Sequence, residues 1–252
     1  LELARPVIRG YAYVWLLWSS AFLVPWAALY MAAQGFRRQM LGVSSATALL
    51  GLTEPIFVPE YWNPPSLFDL AQRTGFDIES LVFCFAIGGI GAFGYNALAR
   101  RELQPVPEAE RHRLRHRFHR LALAAPFVVF PPLYLLPWNP IYPGIAALAV
   151  GGVANVLCRP DLARKTLLGG ALFAGLYAVF MTLLIVSAPG YVEQVWNLSA
   201  LSGVRLGGIP LEELAFGFAF GTYWAGIYEH FTWKHGAPAG AGEQTSLGGQ
   251  HG

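Results

Sequence analysis

Acidic residues stand at the head of two long apolar segments, where carboxyl groups could carry acid–base chemistry. Asp77 and Glu79 lead into one segment, and Glu212 and Glu213 begin the other. An ionisable side chain in apolar surroundings is costly to bury and is therefore a candidate functional group. If Glu79 and Glu212 face each other, repulsion and desolvation would keep one of them protonated near pH 7. Such an acid could protonate an apolar substrate, with Glu213 close by and Glu79 as partner or base.

Helix capping explains the same acids without any chemistry. Asp77 is suited to cap the helix that follows it, and Pro210 is suited to the first turn of the second helix. Carboxylates in a first turn also interact favourably with the helix dipole. The catalytic and the capping interpretation both remain open from the sequence.

Aromatic residues accompany these acids and could line an apolar cleft. Their π faces would stabilise a carbocation, whereas packing against core and lipid is the simpler explanation for most aromatic residues in such segments. The predicted substrate-binding residues are Trp62, Phe83, Tyr95, Trp196, Phe216 and Tyr228.

No residue pattern predicts a cofactor. Gly89, Gly91 and Gly94 formally match a dinucleotide fingerprint, but they lie inside an apolar helical segment with no preceding strand, where glycines favour close helix packing. His112 and His116 have the i,i+4 spacing that could share a metal. The arginines that flank them oppose a bound cation, so the sequence predicts no metal and no cofactor.

The segments that carry these residues form an internal duplication. Residues 49–67 and 183–201 are identical at seven of 19 positions, including Trp62/Trp196 and Asn63/Asn197. After a one-residue shift, residues 78–95 and 211–228 are identical at eight of 18 positions. Paired Trp-Asn, Glu and Tyr at a nearly constant offset are not explained by apolar composition alone, so we interpret the match as a true repeat.

Composition indicates a membrane protein. Of 252 residues, 55% are hydrophobic and only 13% are charged, with a mean hydropathy of +0.43. This composition argues against a soluble domain, and the net charge of +2 gives no reason to expect a nucleic-acid partner. Seven segments are long enough to span a bilayer. They are about 10–34, 40–58, 78–99, 121–138, 141–158, 166–188 and 209–232.

The predicted fold is therefore an all-α membrane protein of about seven transmembrane helices, arranged as two parallel three-helix repeats joined by a connector helix. The predicted divisions are a first repeat (1–99), a basic loop and connector (100–140), a second repeat (141–235) and a flexible glycine-rich tail (236–252). A Pro-rich junction around Pro137 leaves open whether spans four and five both cross fully.

The positive charges predict an orientation. One side of the seven spans receives four Lys and Arg residues and the other receives 13 of the 17, seven of them between Arg100 and Arg120. The positive-inside rule then places the N-terminus outside and the C-terminus in the cytoplasm. The expected location is a bacterial or archaeal inner membrane, with membrane lipid and other membrane subunits as possible partners.

The segment from Pro210 to Phe216, preceded by Trp196-Asn197 and Gly207-Gly208, resembles the lycopene cyclase domain. Two features depart from the family pattern. Asp77 and Ser80 replace Pro and the second Glu in the first repeat, and Thr53-Glu54-Pro55 stands where a Trp-Asp is usual.

The resemblance implies an isomerase, a non-flavoprotein carotenoid cyclase acting on lycopene or a related polyene. Protonation of the terminal double bond, ring closure through a tertiary cation and loss of a proton would form the ring, with Glu212 or Glu213 as acid and Glu79 as partner or base. The alternatives are a non-catalytic carotenoid- or lipid-binding subunit of a larger complex, and a small-solute transporter.

Overall fold

The computed structural model describes residues 9–238, and these are mostly helical. Two short two-stranded ribbons accompany the helices. The longer helices are α1 (Val14–Ala21), α2 (Leu23–Ala32), α3 (Arg37–Ala48), α5 (Ile78–Leu98), α7 (His119–Tyr134), α8 (Ile141–Cys158), α9 (Ala163–Ser187) and α11 (Leu211–Thr232). The short helices are α4 (Leu70–Thr74), α6 (Glu108–Arg111) and α10 (Tyr191–Val195), and the strands are β1 (Arg101–Pro105), β2 (Arg205–Leu206), β3 (Ile209–Pro210) and β4 (Lys234–Pro238).

Four helical segments within residues 9–238 are long and apolar enough to cross a membrane. They are Val14–Ala32, Ile78–Leu98, Ile141–Cys158 and Pro160–Ser187, of 19, 21, 18 and 28 residues. The longest exceeds the roughly 20 residues that a bilayer core requires. These four segments coincide with the predicted spans near 10–34, 78–99, 141–158 and 166–188.

The other three predicted spans have different structures. The segment 40–58 changes from α-helix to 3-10 helix at Leu49–Ile56, which contains Pro55. The segment 121–138 corresponds to α7, which has only 16 residues and contains three prolines. The segment 209–232 corresponds to α11, whose 22 residues include Glu212, Glu213 and Glu229.

Helix α11 is the centre of the core. It packs against α9, α8 and α5, and residues from Glu212 to His230 are buried along its length. Phe220 and Trp224 stack on one face with ring centroids 4.7 Å apart. The Trp224 indole also donates a hydrogen bond of 3.0 Å to Thr47 Oγ1 on α3, which ties the second half of the chain to the first.

The two halves of the chain also meet at the paired Trp-Asn positions. Trp62 and Trp196 form an isolated antiparallel bridge, with ring centroids 5.3 Å apart. Asn63 N donates to Val195 O and Asn197 N donates to Tyr61 O, both at 2.8 Å. Trp62 and Trp196, which the internal sequence match pairs, therefore contact each other directly.

The basic segment that follows α5 is structured in part. Strand β1 pairs antiparallel with β4, so that Arg101 lies opposite Pro238 and Pro105 opposite Lys234. Residues 236–238 of the predicted tail belong to β4, and the rest of that tail, like residues 1–8, lies outside the described residues. The pairing brings the end of α11 next to the end of α5.

Gly89 on α5 tests how tightly the helices pack. A Cβ built at this glycine would lie 2.5 Å from Ser44 Oγ and 2.6 Å from Trp26 Nε1, which are hydrogen-bonded to each other at 2.9 Å. We expect Gly89→Ala to destabilise the protein by about 1–3 kcal/mol through overpacking. The midpoint of thermal unfolding in detergent measures this effect.

The matched control is Gly94→Ala in the same helix, where an added Cβ meets nothing within 4 Å. Because alanine favours helix over glycine, this variant should be neutral or more stable by up to about 1 kcal/mol. Equal unfolding midpoints for the two variants would contradict the close crossing of α5 with α2 and α3.

Candidate active site

A cavity of about 390 Å³ lies between the two halves of the chain. Its walls are almost entirely apolar and aromatic, and they include both bridge tryptophans, Trp62 and Trp196. The carboxyl groups among its lining residues belong to Glu54 and Glu213. A concave apolar space with few polar groups is the usual form of a small-molecule site.

Glu213 is buried and receives three hydrogen bonds from side chains. Tyr61 and Trp196 donate to Oε1, the latter through Nε1 at 2.6 Å, and Tyr177 donates to Oε2 at 2.5 Å. Hydrogen bonds to an ionised group contribute about 1.5–3 kcal/mol each and favour the carboxylate. Tyr61 comes from the first half of the chain and Tyr177 from α9, so the two halves together hold this group.

Glu54 is the second carboxyl group of the cavity and has fewer partners. It lies in the 3-10 segment Leu49–Ile56, and Trp62 Nε1 donates to its Oε1 at 2.6 Å. Within residues 9–238 this is its one side-chain hydrogen bond, and no basic side chain pairs with it. An apolar setting with one donor favours a protonated acid over a carboxylate.

The two acids occupy non-equivalent positions of the sequence repeat. Each bridge tryptophan donates its indole N–H to one of the two acids. In the alignment, Glu213 corresponds to Ser80 and Glu54 corresponds to Ala188. Each half of the chain thus supplies one carboxyl group to the cavity. Glu54 comes from the 3-10 segment Leu49–Ile56 in the first half, and Glu213 comes from the first turn of α11 in the second half.

Glu79 and Glu212 are buried but are not among the residues that line the cavity. Glu79 Oε1 accepts from Leu67 N at 2.8 Å, and Glu212 Oε1 accepts from Ser202 N at 2.8 Å and from Tyr142 OH at 2.8 Å. Each glutamate therefore holds the loop that precedes its own helix. Among the described residues, the structure shows no contact between the two.

The local sequence explains how each helix begins. Asp77 caps α5 by accepting from Ser80 N at 2.5 Å, which confirms the capping interpretation of this residue. Before α11, Gly207 and Gly208 make the tight turn between β2 and β3 with φ of +61° and +88°, which side chains disfavour. That turn leads into Pro210 and sets Glu212 and Glu213 at the first turn of α11.

The predicted aromatic residues divide into two groups. Trp62, Trp196, Phe83 and Phe216 line the cavity. Tyr95 and Tyr228 are not among the lining residues and lie near the opposite ends of α5 and α11. Tyr228 packs there against Phe93, with ring centroids 5.2 Å apart.

Three residues of the site were not predicted as site residues from the sequence: Glu54, Tyr61 and Tyr177. Tyr61 directly precedes Trp62, and Glu54 lies within the repeated segment, so their positions were a usable signal. Tyr177 lies in the middle of the long apolar helix α9, where nothing in the sequence distinguishes it from a packing aromatic. The contact with Glu213 appears only when α9 and α11 pack together.

Comparison with known proteins finds a family match for the second half of the chain, which supplies one part of this site. Residues 139–231 match the family model for lycopene cyclase. The match covers just over a third of the chain, from before α8 to the end of α11, and includes Tyr177, Trp196, Glu212 and Glu213. Comparison with curated proteins and with solved structures finds no significant match. Residues 139–231 are therefore similar to a lycopene cyclase domain.

Proposed function

We propose that the protein cyclises the end groups of lycopene or a related linear carotenoid. The observation that carries this proposal is the aromatic cavity that contains two carboxyl groups, Glu54 and Glu213, and no other acid among its lining residues. The family match at residues 139–231 supports the same substrate class. The reaction is an isomerisation without net redox change, so it requires an acid, a base and an apolar site, but no redox cofactor.

Glu54 is the proposed proton donor. A proton from its carboxyl group adds to the terminal double bond of the polyene and generates a tertiary carbocation. The neighbouring double bond attacks that cation, which closes the six-membered ring and moves the positive charge to another ring carbon. The single hydrogen bond from Trp62 and the apolar walls support a neutral acid at this position.

Glu213 is the proposed carboxylate that stabilises the cation and accepts the proton lost from the ring. Its three donors support an ionised group at the start of the reaction. One proton is delivered and one is removed, so the proton count closes. Transfer of one proton from Glu213 back to Glu54 resets the pair for the next ring.

Aromatic faces around the acids would stabilise the cation further. The ring centroids of Trp62 and Trp196 lie 5.3 Å apart, and Phe83 and Phe216 also line the cavity. A cation over such faces gains about 0.5–2 kcal/mol from each well-placed ring. Glu79 and Glu212 act as positioning residues, because each holds the loop in front of a helix that carries cavity residues.

The substrate would enter from the membrane. Thr53, Phe127 and Pro131 line the cavity and are exposed on the surface between the 3-10 segment Leu49–Ile56 and α7. A cavity of about 390 Å³ is near the lower end of the range for small-molecule sites. One end group would occupy it, and the rest of the polyene would extend through this opening into lipid.

The proposal includes the arrangement in the membrane. Two parallel three-helix repeats with α7 as connector account for the shared positions of Trp62 and Trp196, and for the equivalent loop contacts of Glu79 and Glu212. With seven spans, the positive charges of the segment 100–120 would place the C-terminus in the cytoplasm.

Replacement of either cavity acid should abolish ring formation. We expect Glu54→Gln and Glu213→Gln each to lower cyclisation at least about 10²-fold, because an amide cannot deliver or accept the proton at a useful rate. Expression in a lycopene-producing host followed by pigment chromatography measures the ring products. Glu193→Gln is the matched control, since Glu193 is an exposed partner of Arg205 and should leave activity unchanged.

The same experiment decides between catalysis and simple binding. The wild-type protein could co-purify with lycopene and leave it unchanged under conditions where a known cyclase converts it. That result would contradict the enzyme proposal and favour a carotenoid-binding subunit. Full activity of Glu213→Gln would remove that residue from the mechanism.

The tyrosines that bind Glu213 give a second test. Tyr61→Phe and Tyr177→Phe each remove one donor, and we expect about 10-fold to 10²-fold lower turnover, from the loss of a charge-assisted hydrogen bond of about 1.5–3 kcal/mol. Tyr142→Phe removes a donor to Glu212 outside the cavity and should affect turnover less. Equal losses in all three variants would argue against a special role of Glu213.

A further inference from the structure

A second cluster of reactive side chains lies at the far end of α11. Cys158 Sγ, at the end of α8, is 3.5 Å from His116 Nδ1 and 3.7 Å from His119 Nδ1. His116 and Cys158 are each only 6% exposed. His112, which the sequence spacing pairs with His116, is exposed and lies 4.0 Å from Glu108 instead. The two histidines that lie close together are thus His116 and His119, three residues apart, and Cys158 at the end of α8 contacts both.

The distances agree with those between ligands of one metal ion. Zinc binds thiolate sulfur at about 2.3 Å and imidazole nitrogen at about 2.0–2.1 Å, and a tetrahedral angle then separates sulfur from nitrogen by about 3.6 Å. The ligand atoms of His116, His119 and Cys158 all lie within 4.8 Å of one another.

Neighbouring side chains hold the imidazoles in this arrangement. Trp233 stacks on His119 with centroids 4.0 Å apart and an interplanar angle of 12°, and it meets His116 edge-on at 5.0 Å. Glu110 Oε1 lies 3.7 Å from His116 Nε2, the ring nitrogen that faces away from Cys158. A carboxylate behind a ligating histidine is the common outer partner in metal sites.

Three arginines near the cluster share two carboxylates. Arg159 is paired with Asp161 at 2.6 Å, and Arg113 is paired with Glu110 at 2.8 Å. Arg115 also binds Glu110, and its Nε donates a hydrogen bond of 3.3 Å to His116 Nε2.

We propose that His116, His119 and Cys158 bind a zinc ion through two Nδ1 atoms and Sγ, with a water molecule or an outside ligand in the fourth position. On binding, Cys158 releases its proton and His116 carries its own on Nε2, so the Arg115 Nε–H that donates to this nitrogen turns away toward Glu110. The ion would link the basic segment (residues 100–120) and the start of α7 to the end of α8.

The proposed ion is structural and does not take part in the chemistry of the cavity. From Glu213 to His230, whose ring lies 4.3 Å from that of His119, α11 rises roughly 26 Å at 1.5 Å per residue. The zinc site therefore does not depend on the proposed cyclase activity.

Metal content of the intact protein tests this proposal. The full chain, purified without a histidine tag, should contain about one zinc per molecule by mass spectrometry. Cobalt replacing zinc should give the intense near-ultraviolet charge-transfer band of a thiolate–cobalt bond. Cys158→Ser and His119→Ala should lose the zinc, and Glu110→Gln should weaken its binding about 10–100-fold. The matched controls Cys84→Ser and His112→Ala should keep it, since neither residue belongs to the cluster.

Several results would overturn the zinc site. A wild-type chain without zinc and without the cobalt band would do so, and so would a Cys158→Ser variant that keeps full zinc content. If the ligand variants do not fold, as judged by gel filtration, the cobalt band of the wild-type protein decides the question. A wild-type protein that contains zinc but does not cyclise lycopene would contradict the proposed function and leave the zinc site intact.

Discussion

A carboxyl group enclosed by aromatic rings needs hydrogen-bond donors, and for Glu213 these come from both halves of the chain. Tyr61 belongs to the first half, while Tyr177 and Trp196 belong to the second. A buried carboxylate without these partners would cost several kcal/mol, so the halves must dock for the group to be tolerated. The bridge from Tyr61–Asn63 to Val195–Asn197 sets that docking, and the same contacts thus stabilise the fold and position the site.

Buried charge is treated differently at the two ends of α11. Glu229 is fully buried and forms an ion pair with Lys165, while Asn96 donates a further hydrogen bond of 2.6 Å to it. In the part of the chain that the structure describes, no basic side chain pairs with Glu54 or Glu213. A fixed cation beside these acids would repel a carbocation, so hydrogen bonds rather than ion pairs are the suitable support for acid–base chemistry in this cavity.

The basic segment after α5 combines two roles. Its arginines at 113 and 115 bind Glu110, and strand β1 pairs with β4 behind them. His116 turns inward from the same segment and contacts Cys158 and Trp233. Charged side chains of this segment therefore lie at the surface while the His116 imidazole packs inside.

Hydropathy alone determined which segments are long and apolar enough to cross a membrane, and four of them are helical over 18 residues or more. The cap at Asp77 was also accessible, since capping is local, whereas the internal sequence match paired Trp62 with Trp196 without showing that the two are in contact. Only the tertiary structure decided which acids share the cavity. Glu212 and Glu213 are adjacent in sequence, but successive residues on a helix point about 100° apart, so one holds a loop and the other faces the aromatic walls. Glu54 joins Glu213, and Cys158 joins His116, through packing between helices that sequence spacing does not encode.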